Sequence, residues 1–513
     1  MSKQLLKSTS IVGLMTFISR ILGYVRDMVA AHYFGAGLSY DAFLMAFKIP
    51  NFMRRLFAEG AFSQAFVPIL AEYRSNRSES EVKDFINKVS GTLSLVLLGV
   101  TLLGVLGAPI VVLAFAPGFT GEPLRFLLAT DMLRITFPYL LLISLTAFLG
   151  SVLNSFGNFA IPALTPVFLN ICMIISADCF GSYFTEPVMA LAIGVFLGGI
   201  VQLSFLLPFL WRRGLFPKPT IGWQDPGVRR IIKLMIPALL GVSVNQLNLL
   251  IDSSFASFLP VGSVSWLYYS DRLMEFPLGI FGVAIATVVL PNLSRQHAVR
   301  DTISFSHTLD WGLRMICLIG MPSCVGLYLL AGPLLSTLFQ SGHFTNHDVV
   351  MSSKSLMAYS VGVMGFMLVK ILASAYYARQ DIKTPVKIAM SIVVIHVILN
   401  AIFIKFWHHA GLALATSLAA LLNAALLFWI LKKRKLYQAL SNWKKYALQL
   451  AFANSILAAV IIKTNYSMDQ WLAWNRSERM LALLMIILVG ACSYLSSLWV
   501  SGIRVQHLLM ART

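Results

Sequence analysis

Residues 17–74 read FISRILGYVRDMVAAHYFGAGLSYDAFLMAFKIPNFMRRLFAEGAFSQAFVPILAEYR. The stretch is apolar enough for two membrane helices, joined by the tight turn Phe34-Gly35-Ala36-Gly37. It nevertheless carries Arg20, Arg26, Asp27, Asp41, Lys48, Arg54, Arg55 and Glu59. A charge at the centre of a membrane helix costs roughly 2.5–3.5 kcal/mol on the lenient insertion scale, so such side chains should face protein or a water-filled cavity. Arg20 and Asp27 are seven residues apart, as are Asp41 and Lys48, which is about two helical turns. Each helix therefore carries a charged stripe, and the short turn makes the helices antiparallel neighbours whose stripes converge on one polar site. The competing reading, strongest for Lys48 and Arg55, is that charges at span ends snorkel to the headgroups.

Outward from this stretch, the chain of 513 residues is 58% hydrophobic and only 12% charged, with a mean hydropathy of +0.77. Soluble proteins are about 25% charged, so this is an all-α polytopic membrane protein. Apolar segments of spanning length fall near 8–34, 39–73, 86–115, 124–153, 160–180, 187–211, 228–258, 263–293, 306–339, 350–378, 384–406, 410–432, 444–464 and 478–502, giving fourteen transmembrane helices. The first is too long and too charged to be a cleaved signal peptide. Five cysteines without a CxxC pair suggest packing residues rather than a zinc site or disulfides.

The net charge of +19 has a topological cause and does not point to nucleic acid. With fourteen spans, 25 basic residues fall at the ends and linkers on one side and 5 on the other, the latter being Arg125, Lys405, Lys463, Arg476 and Arg479. The positive-inside rule then puts both termini in the cytoplasm.

Sliding the chain along itself by 223 residues lays Pro68 on Pro291, Pro162 on Pro385 and YDAFLMAF on SVSWLYYS. The first six helices thereby repeat as the next six. An even number of helices gives the copies the same orientation, and a substrate site between two such lobes suits a transporter working by alternating access. The expected organisation is an N-terminal lobe over 1–215, a C-terminal lobe over 225–435 and two extra helices over 440–513. The second lobe carries Arg272 in its counterpart of the charged helix 39–73, with Asp271 and Glu275 beside it for local pairing.

A site holding Arg20, Arg26, Arg54 and Arg272 carries far more positive than negative charge, and guanidinium is the group that grips phosphate in bidentate fashion. The expected ligand is therefore an anion, a diphosphate matching several arginines at once, while a cationic drug is repelled. Asp27, Asp41 and Glu59 could hold the arginines when the ligand is absent or latch the site; ordinary charge compensation is the alternative. Asp252 with Asn245, Asn248 and Asn400 offers oxygen ligands of the kind Na+ takes, against the plainer reading that they bond helix to helix. His408-His409 reads as a solvated pair at a helix end. No HExxH, GxSxG or Walker A motif is present, so the sequence suggests no enzyme, and uphill transport must draw on an ion gradient, the membrane potential or substrate removal.

Three stretches carry a family resemblance: residues 19–74 (SRILGYVRD through LAEYR), GSVSWLYYSDRLMEFPLGIFGVAIATVVLP and YYARQDIKTPVKIA. The chain resembles the MurJ/MviN family, the bacterial lipid II flippases of the multidrug/oligosaccharidyl-lipid/polysaccharide exporter superfamily, along essentially its whole length. The resemblance implies transfer of an undecaprenyl-diphosphate-linked disaccharide pentapeptide to the periplasmic leaflet, for peptidoglycan synthesis, by a multi-pass inner-membrane protein. It implies that Arg20, Arg26, Asp41, Arg54 and Arg272 are required, with Arg26, Arg54 and Arg272 meeting the diphosphate. It places Asp27 and Glu59 in or near the gate, and makes the last two helices an apolar groove for the lipid tail. The expected partners are lipid II, membrane lipids and the cell-wall synthesis machinery, around a monomer. Rival readings are an exporter of another polyprenyl-diphosphate-linked oligosaccharide and a drug or cation antiporter of the same fold; the latter predicts an acidic site.

Overall fold

A computed structural model describes residues 3–56, 62–439 and 442–504, and the described residues are helices and turns without strands. In lipid every backbone polar group must be satisfied within its own segment or by a neighbour, which selects helices. The helices are α1 Lys3–Phe34, α2 Leu38–Arg54, α3 Ser63–Asn76, α4 Glu79–Leu106, α5 Ala108–Phe115, α6 Pro123–Thr136, α7 Tyr139–Ser155, α8 Ala160–Phe180, α9 Met189–Arg212 and α10 Pro226–Ser257. They continue with α11 Ser263–Pro277, α12 Val283–Ala298, α13 Thr302–Leu329, α14 Ala331–Phe339, α15 Asn346–Tyr377, α16 Lys383–Lys433, α17 Trp443–Thr464, α18 Met468–Ala473 and α19 Arg476–Val500. Among the described residues, ten helical stretches are long and apolar enough to cross a membrane, and α16 holds two of the fourteen sequence segments.

Helix starts recur at one offset. The starts of α4 and α13 at 79 and 302, of α6 and α15 at 123 and 346, and of α8 and α16 at 160 and 383 are each 223 residues apart. The caps recur too: Ser78 accepts from the Glu81 amide at the start of α4, and Asp301 from the Ser304 amide at the start of α13.

Packing divides the chain after Val264 into two compact units, Met1–Val264 and Ser265–Thr513. In the first, α10 joins a core with α3, α4, α7 and α9, where Val228 and Ile231 are buried with Phe66, Phe85 and Phe148. In the second, α15 lies against the later half of α16 so closely that a Cβ added at Gly362 would sit 2.5 Å from the Ser417 Cα. Small residues at such contacts let membrane helices approach where no hydrophobic driving force exists between them.

The last helices are bolted to α13 by polar bonds. Buried Asp310 accepts from Tyr437 Oη at 2.5 Å, Trp443 Nε1 at 2.6 Å and Arg314 Nε at 2.7 Å. Tyr494 donates to the Leu318 carbonyl at 2.7 Å, and an apolar cluster around Trp471 and Leu450 fills the space above.

The histidine pair differs from expectation. His408 takes φ 47° at the break inside α16 and is exposed, whereas His409 is buried, its Nδ1 2.7 Å from Ser355 Oγ and its ring edge-on to Trp266. The backbone break turns successive side chains to opposite environments, so only one of the two is solvated.

Candidate functional site

In the first unit, the charges of the opening stretch separate into enclosed pairs and open groups. Arg26 and Asp27 on α1 are both buried and paired, Nη2 to Oδ1 at 2.6 Å and Nε to Oδ1 at 3.0 Å. Asn170 on α8 completes the set: its Oδ1 accepts from Arg26 Nη1 at 3.1 Å while its Nδ2 donates to the Ser19 carbonyl at 3.1 Å. Removing two charges from water costs several kcal/mol per ion, and only close pairing with such extra bonds repays it.

Asp41, at the start of α2, is entirely enclosed. Its Oδ2 accepts from Arg125 Nη2 at 2.6 Å and from the Gly262 amide at 2.8 Å. Arg125 also donates to the Leu259 carbonyl at 3.3 Å, and its guanidinium lies 4.0 Å from the centre of the Phe119 ring. Arg125 is thus enclosed, although it counts among the basic residues of the outer side, and Asp41 pairs with an arginine outside the four that the sequence singles out.

Arg20 and Arg55 are exposed, and Lys48 and Arg54 half-buried, with Arg54 Nε 3.4 Å from Asn51 Oδ1. The seven-residue stripes thus run from open to enclosed surroundings, Arg20 to Asp27 on one helix and Lys48 to Asp41 on the next. Glu59 lies outside the described residues.

In the second unit, Arg272 on α11 is about one third exposed and lies over the Tyr268 ring, 5.0 Å from its centre. Nη2 meets the Tyr268 hydroxyl at 3.1 Å and Nη1 stands 3.6 Å from Glu275 Oε2, the local pairing anticipated within this helix. Stacking and pairing of this kind hold the planar fork in one orientation while leaving part of it accessible.

Asp252 is half-buried on α10. Asn400 is fully buried on α16, its Nδ2 3.4 Å from His396 Nε2, which in turn is 3.3 Å from Thr416 Oγ1 beyond the break. His396 thereby links the two halves of α16 across the break. Among the described residues no group of three His, Cys, Asp or Glu side chains could hold a metal ion.

Sequence reasoning missed Arg125, Asn170 and Tyr268. A signal existed for the first: Asp41, an acid within an apolar helix, requires a cation, and Arg125 opens a neighbouring apolar segment.

The comparisons with known proteins agree with one another. A sequence model described as Lipid II flippase MurJ matches residues 30–481. The chain belongs to the MurJ family. A Vibrio cholerae protein named Probable lipid II flippase MurJ is 50% identical over 517 residues, covering 99% of this chain and 98% of its own. A solved structure described as Lipid II flippase MurJ, inward closed conformation, superposes with a TM-score of 0.81 at 29% identity, covering 95% and 97% of the two chains. A multidrug resistance MATE transporter in an inward-facing conformation shares the fold alone, with a TM-score of 0.65 at 14% identity over 83% of this chain and 97% of its own. Membership of the MurJ family, together with ten helical stretches long and apolar enough to cross a membrane among the described residues, makes this an integral membrane protein.

Proposed function

We propose that this protein carries lipid II, the undecaprenyl-diphosphate-linked peptidoglycan precursor, from the cytoplasmic to the periplasmic leaflet of the bacterial inner membrane by alternating access, without altering it chemically. The observation that carries the reading is the half-identical Vibrio cholerae relative, aligned over nearly the whole of both chains. Accessible guanidinium groups support the substrate's chemistry. Arg20 and Arg54 in the first unit and Arg272 in the second each retain exposed guanidinium surface of the kind a diphosphate takes, whereas Arg26 is enclosed with Asp27. Asp41 acts as a positioning group through Arg125. Both termini lie in the cytoplasm.

The test is depletion of this protein in its host, followed by complementation with the wild type or with Arg272→Ala, and measurement of labelled lipid II accessible on the periplasmic face. Restoration by the wild type and not by a normally inserted Arg272→Ala is expected. Lipid II that reaches the periplasm regardless of either would favour export of another polyprenyl-diphosphate-linked oligosaccharide.

A further inference from the structure

A cavity of about 480 Å³ lies in the second unit, away from Arg272, where the turns after α12 and α15 meet the linker following α16. Its lining includes Arg300, Arg379 and Lys435, with His297 and His307. Asp301 is the one carboxylate among the described lining residues, and it already accepts from the Ser304 amide at 2.9 Å as the cap of α13. Hydrogen bonds from the Ser304 hydroxyl and then its amide hold the Asp301 carboxyl below the ordinary carboxylate range and turn its charge toward the helix.

Helix ends attract one cation each through their partial negative charge, but they do not require a cavity between them. Backbone conformation also marks these positions. Arg300 and Lys435 occupy the residue after the helix cap with φ of 57° and 53°, the left-handed region where glycine is favoured and side chains are strained. Two cations therefore stand where the backbone prefers glycine, and both line the cavity. Phe305 forms a buried wall, with the Arg379 guanidinium 6.0 Å from its ring centre. Among the lining residues Ile303 is 72% exposed, and Val299, which precedes Arg300 in the chain, is 70% exposed, the apolar surface expected where a lipid headgroup region meets the chain.

From this cavity, its cations and their strained placement we infer that the second unit binds a phosphate group at Arg300, Arg379 and Lys435. On the topology proposed above the cavity faces the cytoplasm, so the group is supplied by an anionic phospholipid headgroup or by free phosphate. Such a ligand accepts from two arginine forks and a lysine at once, which joins the turns 299–301 and 378–382 to the linker 434–439 and restrains the ends of α12, α13, α15 and α16.

The full chain in nanodiscs tests this through its melting temperature. One arm compares neutral phosphatidylcholine with a mixture containing phosphatidylglycerol; the other adds inorganic phosphate to neutral nanodiscs at constant ionic strength. The wild type is expected to melt higher in at least one arm. The combined Arg300→Gln, Arg379→Gln, Lys435→Gln variant should lose that rise while melting like the wild type in neutral lipid alone. Lys432→Gln, an exposed cation outside the cavity, should keep it. A rise with phosphatidylglycerol only assigns a headgroup, and a rise in both arms assigns the phosphate group itself. The three single variants, each expected to lose part of the rise, keep the test decisive if the combined variant fails to insert. No rise in either arm, or the same rise in the wild type and the variants, overturns the site. Because the readout is binding and not flipping, that failure would leave the proposed function standing.

Discussion

Arg125 Nη2 stands 2.6 Å from Asp41 Oδ2, and their side chains are 3% and 0% exposed. An ion pair so enclosed is weak evidence for stability as a whole, but removing one partner strands the other charge in a medium that cannot solvate it. Arg125→Ala is therefore expected to destabilise the first unit by about 3–5 kcal/mol. The Asp41→Ala, Arg125→Ala double variant should recover part of that loss, since no charge is left alone. Melting of the detergent-solubilised single and double variants measures this; equal loss in both would mean that the pair is not energetically coupled.

A second enclosed set rests on Asn170, which bonds both Arg26 Nη1 and the Ser19 carbonyl. Asn170→Ala leaves a buried guanidinium hydrogen without its acceptor, at about 1–3 kcal/mol. Asn170→Gln keeps the amide but lengthens it, so it should fall between the two, and thermal unfolding ranks the three.

The fold was legible because its signals are long-range and redundant. Apolar length, basic asymmetry and the offset linking Pro68 to Pro291 all describe the same helices, and the observed starts of α4 and α13 keep that offset. The individual roles of the charges were less legible. Spacing placed Arg20 and Asp27 on one stripe but could not tell that Arg20 is exposed while Asp27 is enclosed beside Asn170, because the partner comes from a helix 144 residues away from Arg26. The arginine that Asp41 holds could not be named for the same reason: Arg125, 84 residues on, cannot be matched to it by periodicity. His409 shows the converse limit, since a single break at His408 reverses what adjacent residues face.

Close backbone approach makes a separate prediction. Gly362→Ala would place a Cβ 2.5 Å from the Ser417 Cα, and backbone cannot step aside as a flexible side chain can. The helices must separate, at about 1–3 kcal/mol for overpacking. Gly326→Ala on α13 has nothing within 4 Å of the new Cβ and is the matched control. A lower Tm for the first variant and an unchanged one for the second is expected.

Acid sensitivity has a local origin at Asp381, between α15 and α16. Burial pushes its carboxyl up, but the Thr384 hydroxyl at 2.6 Å, the Thr384 amide at 3.0 Å and Arg434 Nη1 at 3.1 Å outweigh this and hold it below its ordinary 3.8. A carboxyl depressed on folding stabilises the fold above its unfolded value, and that contribution is lost as pH falls below about 3.8 through the folded value. Asp381→Asn should therefore lower Tm near neutral pH and flatten its decline at acid pH. Parallel melting curves for variant and wild type down through pH 3.8 would assign the acid sensitivity elsewhere.

Arg272 separates charge from geometry. Its guanidinium lies on the Tyr268 ring and is about one third exposed, so its removal should shift stability by less than about 1 kcal/mol, as for other partly exposed pairs. Flipping should respond far more. Losing one charge-assisted bond to the diphosphate costs about 1.5–3 kcal/mol, roughly a ten- to hundredfold fall in rate. Arg272→Lys preserves the charge but neither the fork nor the ring stacking, and should lie nearer to Arg272→Ala than to the wild type. Tyr268→Phe keeps the ring and removes only the 3.1 Å hydroxyl contact, so its effect should be the smallest. Periplasmic accessibility of labelled lipid II, normalised to inserted protein, gives the order. If the lysine variant flips like the wild type, positive charge alone suffices at this position and bidentate recognition by Arg272 is excluded.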